Sequence, residues 1–86
     1  MKKLYFIFNL QSGKATIGSK LGSVIDMFTK AGYEVTARPT QERLDACAAA
    51  KYACNVGYDL IVCSGGDGTL NEVIQGVMKS EDKIPI

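Results

Sequence analysis

Three glycines fall within four positions, Gly65, Gly66 and Gly68, with a carboxylate, Asp67, between the last two and Thr69 directly after. An apolar run, Leu60-Ile61-Val62-Cys63, precedes them and a helical pattern follows. Glycines at a strand-to-helix junction let backbone amides approach an anion without Cβ atoms in the way. The helix start adds N–H groups that lack internal partners and a partial positive charge. Such a loop can grip phosphate, with the amides of Gly66, Gly68 and Thr69 as the expected donors. A plain strand-to-helix turn is the alternative, but this many glycines around a carboxylate exceed what a turn requires. Asp67 repels a bare phosphate. It fits if Mg²⁺ lies between, directly or through water, or if it orients a donor; as an Asx-turn acceptor it would be purely structural. Thr69 and Glu72 have the spacing of a capping box. Capping does not explain Asn71, which makes it the better functional candidate.

Two phosphate motifs fail here. The dinucleotide fingerprint G-x-G-x-x-G has Asn71 where its third glycine belongs. The P-loop G-x-x-x-x-G-K-[ST] is approached between Gly13 and Lys20, but Ser19 and Lys20 are transposed, which misplaces the phosphate lysine and the magnesium hydroxyl.

The loop must be positioned by the elements around it. Leu4-Tyr5-Phe6-Ile7-Phe8 is a continuous apolar run, as expected of a central strand covered on both faces. After a loop from Asn9 to Gly18, Leu21, Val24, Ile25 and Phe28 form one stripe of an amphipathic helix that stops at Gly32. Glu34 to Arg38 alternates as a second strand, ended by Pro39. Thr40 is placed to cap a helix over about 41–55, whose stripe reads Leu44, Cys47, Ala48 and Tyr52, with Gly57 as its stop. Leu60 to Cys63 is the third strand. Leu70, Val73, Ile74, Val77 and Met78 give the cleanest helical stripe. The order β-α-β-α-β-α predicts an α/β fold, a three-layer α/β/α sandwich with a parallel sheet and right-handed crossovers. Lys83-Ile84-Pro85-Ile86 reads as the start of a fourth strand, so the domain is expected to be incomplete.

Composition narrows the chemistry. The 86 residues carry a net charge of +1, with 47% hydrophobic and 22% charged residues, as in one globular domain rather than a disordered segment. The chain contains no His, which removes Ser-His-Asp and Cys-His catalysis and His-containing zinc sites. The near-neutral balance gives no reason to expect nucleic-acid binding. No apolar run approaches the roughly 18 residues of a transmembrane segment, and the one near Met1 is too short for a signal peptide, which predicts a cytoplasmic chain. Cys47, Cys54 and Cys63 make an odd count with no C-x-x-C pair and read as plain buried or half-buried thiols.

The run Gly65-Gly66-Asp67-Gly68-Thr69-Leu70-Asn71-Glu72-Val73-Ile74, with Gly76 after it, closely resembles the catalytic-domain motif of the diacylglycerol kinase family, which includes bacterial lipid kinases and the sphingosine and ceramide kinases. The Gly-Gly-Asp-Gly-Thr core alone is similar to that of NAD kinases and, more loosely, phosphofructokinases. The extension through Asn71, Glu72 and Gly76 favours the lipid kinases. Asn9-Leu10-Gln11-Ser12-Gly13 resembles the family's opening Asn-Pro-x-Ser-Gly, with Leu10 in place of proline, and Thr40 stands where the family has a threonine after its second strand.

The resemblance implies the N-terminal subdomain of an NAD kinase/diacylglycerol kinase-like fold. It implies an ATP site made of three loops: Asn9, Leu10, Gln11, Ser12 and Gly13; Thr40; and Gly65, Gly66, Asp67, Gly68, Thr69, Leu70, Asn71 and Glu72. The cofactors so implied are ATP and Mg²⁺. The reaction is phosphoryl transfer from ATP to a lipid hydroxyl in phospholipid metabolism, with peripheral contact at a membrane. No residue of the chain is expected to be the catalytic base. The family's next motif would lie past Ile86, and its second domain, a β-sandwich, carries the base and much of the lipid site. The loss of proline at Leu10 predicts a looser first loop and weaker nucleotide binding. Two other readings stand beside this one: an NAD kinase-like nucleotide-binding domain, and a non-catalytic module that binds nucleotide and self-associates through an apolar edge.

Overall fold

The computed structural model describes residues 1–10 and 17–86. Its elements run β1 (Lys2–Phe8), α1 (Ile17–Lys30), β2 (Tyr33–Pro39), α2 (Asp45–Val56), β3 (Leu60–Ser64) and α3 (Asp67–Met78). The three strands form a parallel sheet in the order β2-β1-β3. Tyr5 stands opposite Thr36 on one side and Ile61 on the other. β1 is central, and Leu4 through Phe8 are all buried, as an unbroken apolar run requires.

Alternation along β1 splits the core into two layers. Leu4, Phe6 and Phe8 face one side, where Leu21, Val24 and Phe28 of α1 pack on them. The Phe6 ring lies 5.1 Å from that of Phe8 and 6.3 Å from that of Phe28. Tyr5 and Ile7 face the other side, against Ala46, Ala49, Ala50, Ala53 and Cys54 of α2 and Val73 and Val77 of α3. The result is the expected α/β/α sandwich.

Helix starts differ from expectation in two places. α2 begins at Asp45, not near Gln41, because Leu44 adopts the left-handed conformation (φ 70°, ψ 0°) and breaks the helical path behind it. Thr40 is therefore not a helix cap; its amide donates to Phe8 O at 2.8 Å and extends the β1–β2 ladder. α3 begins at Asp67 with Gly66 as its cap residue and no side-chain cap bond, so Thr69 and Glu72 do not form a capping box.

The inward face of α2 also differs. Its buried residues are Ala46, Ala49, Ala50, Ala53 and Cys54, while Leu44 and Tyr52 are exposed. α2 and α3 approach so closely that a Cβ on Gly76 would lie 2.3 Å from Cys47 O and 2.9 Å from Ala50 Cβ. Only small side chains fit between backbones at that spacing, so the alanine face turns inward and the larger residues turn out. On α3, Val73 and Val77 are buried, whereas Leu70, Ile74 and Met78 are exposed. The helix stops fall as read: Gly57 caps α2 with φ 86°, and Gly32 follows α1 with φ 100°. Residues 83–86 form no strand, but Ile61 N donates to Pro85 O at 2.9 Å, which sets that segment beside β3.

Candidate functional site

A parallel sheet presents all its strand C-termini along one edge, and ligands of open α/β sheets bind there. Two backbone bonds lock that edge here: Asn9 N donates to Ser64 O at 3.0 Å and Thr40 N to Phe8 O at 2.8 Å. The ends of β1, β2 and β3 thus converge on a cleft of about 360 Å³ lined by Asn9, Thr40, Gln41, Glu42, Arg43, Ala46, Gly66, Gly68, Thr69 and Glu72. Its volume falls within the range of small-molecule sites.

The cleft unites parts of all three loops singled out in the sequence: Asn9 from the first, Thr40, and Gly66, Gly68, Thr69 and Glu72 from the third. Other members fall elsewhere. Gly65, Asp67 and Leu70 line a second depression of about 380 Å³, with Cys63, Ser64 and Gly66. Leu10 is exposed and lines neither, as does Asn71 on the outer surface of α3. Gln11, Ser12 and Gly13 lie outside the described residues.

The glycines of the loop have different reasons for being glycine. A Cβ on Gly65 would lie 2.6 Å from Thr69 Oγ1, so this position is set by close approach within the turn. Gly66 and Gly68 are not. Neither has positive φ, and a Cβ on either would meet nothing within 4 Å. Among the described residues, neither conformation nor packing calls for glycine there, and both line the cleft.

The donors are partly redistributed. Thr69 N is not available to an anion as expected: it donates to Gly66 O at 3.1 Å, as does Leu70 N at 3.3 Å, closing the first turn tightly. The amides of Asp67 and Gly68 donate to no described group, which leaves them as orphan donors at the helix start. Thr40 keeps only its hydroxyl for a ligand. Glu72 holds the site together from within: its Oε1 accepts the Ala46 amide at 3.2 Å, tying α3 to the first turn of α2.

The Asx-turn reading of Asp67 does not hold, since no side-chain bond caps α3 and the carboxylate is exposed. Among the described residues no group of three or more acidic or cysteine side chains could cage a metal ion. Mg²⁺ needs no such cage when it arrives on a nucleotide, because one or two carboxylates plus phosphate oxygens and water complete its shell. Asp67, exposed and without a side-chain bond at the start of α3, is compatible with that mode. Cys63, behind this turn, has its thiol pushed up by burial and is free, as are Cys47 and Cys54, in keeping with their reading as plain thiols.

Sequence reasoning missed Gln41, Glu42, Arg43 and Ala46. Running the helix from about residue 41 placed the first three on a helix instead of in a loop. The available signal was Asp45, a good residue for a helix's first turn. Its carboxylate accepts Gln41 N at 2.7 Å and Arg38 Nη2 at 2.8 Å, and so pins the loop to the end of β2.

The model of the diacylglycerol kinase catalytic domain matches residues 3–86. The chain is 39% identical over 83 residues to a diacylglycerol kinase of Bacillus subtilis (strain 168), covering 96% of this chain and 27% of that protein. It is 37% identical over 82 residues to a diacylglycerol kinase of Staphylococcus aureus (strain Newman), covering 95% of this chain and 26% of that protein. Among solved structures, a diacylglycerol kinase from Bacillus anthracis str. Sterne superposes with a TM-score of 0.83 at 25% identity, over 96% of this chain and 28% of that one. The chain thus spans about a quarter of the length of these relatives. On the family match over nearly its whole length, the chain belongs to the diacylglycerol kinase catalytic domain family.

Proposed function

We propose that residues 1–86 are the nucleotide-binding part of an ATP-dependent lipid kinase, in which the cleft between the β2–α2 loop and the start of α3 holds the phosphates of Mg²⁺-ATP. The acceptor is a diacylglycerol-like hydroxyl. One observation carries the reading: Gly66 and Gly68 line the cleft, and nothing among the described residues requires glycine at either position, as expected of a backbone that a ligand approaches. The orphan amides of Asp67 and Gly68 sit at the same turn, where the helix end favours an anion. Catalysis of phosphoryl transfer is largely positioning and charge neutralisation, and this chain's share is the cradle. The proton acceptor for the lipid hydroxyl and the lipid-binding surface belong to the remaining length that the relatives have. Magnesium, when bound with the nucleotide, would neutralise phosphate charge, and Asp67 would hold it directly or through water.

Calorimetric titration of the full-length protein with Mg²⁺-ATP and with Mg²⁺-NAD tests the nucleotide. Heat with ATP alone supports the lipid-kinase reading; heat with NAD alone replaces it with an NAD kinase-like one. Asp67→Ala is expected to abolish lipid phosphorylation while leaving the fold intact and lowering the melting temperature only slightly, because the exposed carboxylate lies outside the core and contributes only through its place in the first turn of α3. Retained turnover would remove Asp67 from the metal role.

A further inference from the structure

The phosphates of a nucleotide bring several negative charges into a cleft that already holds acidic side chains. Glu42 and Glu72 line it and Asp67 lies at the adjoining turn. Glu72 cannot swing away without releasing the Ala46 amide. Among the described residues, one cation lines the cleft, Arg43. The nearby Arg38 is committed elsewhere: its Nη2 pairs with Asp45 Oδ1 at 2.8 Å and its Nη1 donates to Pro39 O at 2.6 Å, with the side chain two-thirds withdrawn from solvent. Arg43 is exposed and engages no described hydrogen-bond or ion-pair partner.

Its backbone, by contrast, is held on both sides. Asp45 Oδ2 accepts Gln41 N at 2.7 Å, Asp45 N donates to Glu42 O at 3.1 Å, and Leu44 turns through the left-handed region immediately after Arg43. A leucine in that conformation persists only where its surroundings enforce it, and such positions concentrate at ligand sites. The loop is therefore a tied-down support carrying one uncommitted guanidinium on the cleft that Gly66 and Gly68 also line.

We propose that Arg43 is a nucleotide-binding residue of this protein, pairing its guanidinium with the phosphate chain and offsetting Glu42 and Glu72. This rests on the nucleotide reading above. A planar guanidinium offers two parallel donors to phosphate oxygens, which an ammonium cannot.

The test is titration of the full-length wild type, Arg43→Ala and Arg43→Glu with Mg²⁺-ATP and, separately, with adenosine. Arg43→Ala is expected to weaken Mg²⁺-ATP binding by about 5- to 20-fold, between the value of an exposed pair and that of a charge-assisted hydrogen bond. Arg43→Glu weakens it further. Adenosine affinity stays within about twofold, and the wild type's advantage for ATP shrinks as salt rises. Equal ATP affinity in wild type and Arg43→Ala, or an equal loss for adenosine, overturns the proposal while the nucleotide site stands. A wild type that binds no adenine nucleotide overturns both.

Discussion

Replacing Gly76 by alanine adds one methyl group to the tightest contact in the molecule. The new Cβ would lie 2.3 Å from the carbonyl oxygen of Cys47 and 2.9 Å from Ala50 Cβ. Carbon–oxygen contacts close to about 3.3 Å, so α2 and α3 must part by about 1 Å. The obstructing atom is backbone and cannot rotate aside. Overpacking of this kind costs about 1–3 kcal/mol, and the parted helices also loosen Ala46, Ala50 and Ala53 against Val73 and Val77. Removing a helical glycine returns about 0.5–1 kcal/mol. The net loss is about 1 kcal/mol, or a fall in melting temperature of about 4–8 °C for a domain of this size. Gly22→Ala is the control. That residue is also helical, but a Cβ there meets nothing within 4 Å, so stability should rise by the propensity difference alone. Thermal unfolding of the purified chain, followed by circular dichroism, reads both. A Gly76→Ala protein that melts at or above the wild-type temperature would refute the claim that helix proximity is what this glycine serves.

Further outcomes follow from the same contacts. Leu44→Gly should raise stability by about 0.5–1 kcal/mol, the left-handed strain relieved less the glycine entropy cost, since the exposed leucine side chain buries little; Leu44→Ala, which keeps the strain, should show no gain in denaturant midpoint. Glu72→Met removes the acceptor for the Ala46 amide and should cost about 1 kcal/mol, whereas Glu72→Gln, which keeps an oxygen at the same reach, should cost less than half of that in the same unfolding assay. Burial raises the Cys63 thiol, so the folded chain holds that proton more tightly than the unfolded one. Its contribution is complete below the ordinary thiol value of about 8.5 and is lost as pH rises beyond it. Melting temperatures from neutral to alkaline pH should therefore fall more steeply for wild type than for Cys63→Ala.

Nearly all of the layer architecture was legible in the residues. A short unbroken apolar run rich in aromatics suits a strand buried on both faces, so Leu4 to Phe8 pointed to β1 as central, and glycines at positions 32 and 57 pointed to the helix ends. The convergence of Asn9, Thr40 and the Gly66 turn followed as well, because a parallel sheet sends every strand end to one edge. What the residues left undetermined was set by spacing between elements. Large side chains suggested Leu44 and Tyr52 as the inner stripe of α2, but the close approach of α3 admits only alanine and Gly76 there. Local pattern made Thr40 and Thr69–Glu72 into helix caps, yet the β1–β2 ladder uses Thr40's amide, and Glu72 reaches across to Ala46. Leu44's left-handed turn, which puts Arg43 on the cleft instead of on a helix, is visible in no local preference of leucine. Periodicity and composition act along the chain and so specify elements and their order. Distances between backbones arise only once those elements pack, and they decide which polar groups remain free for a ligand.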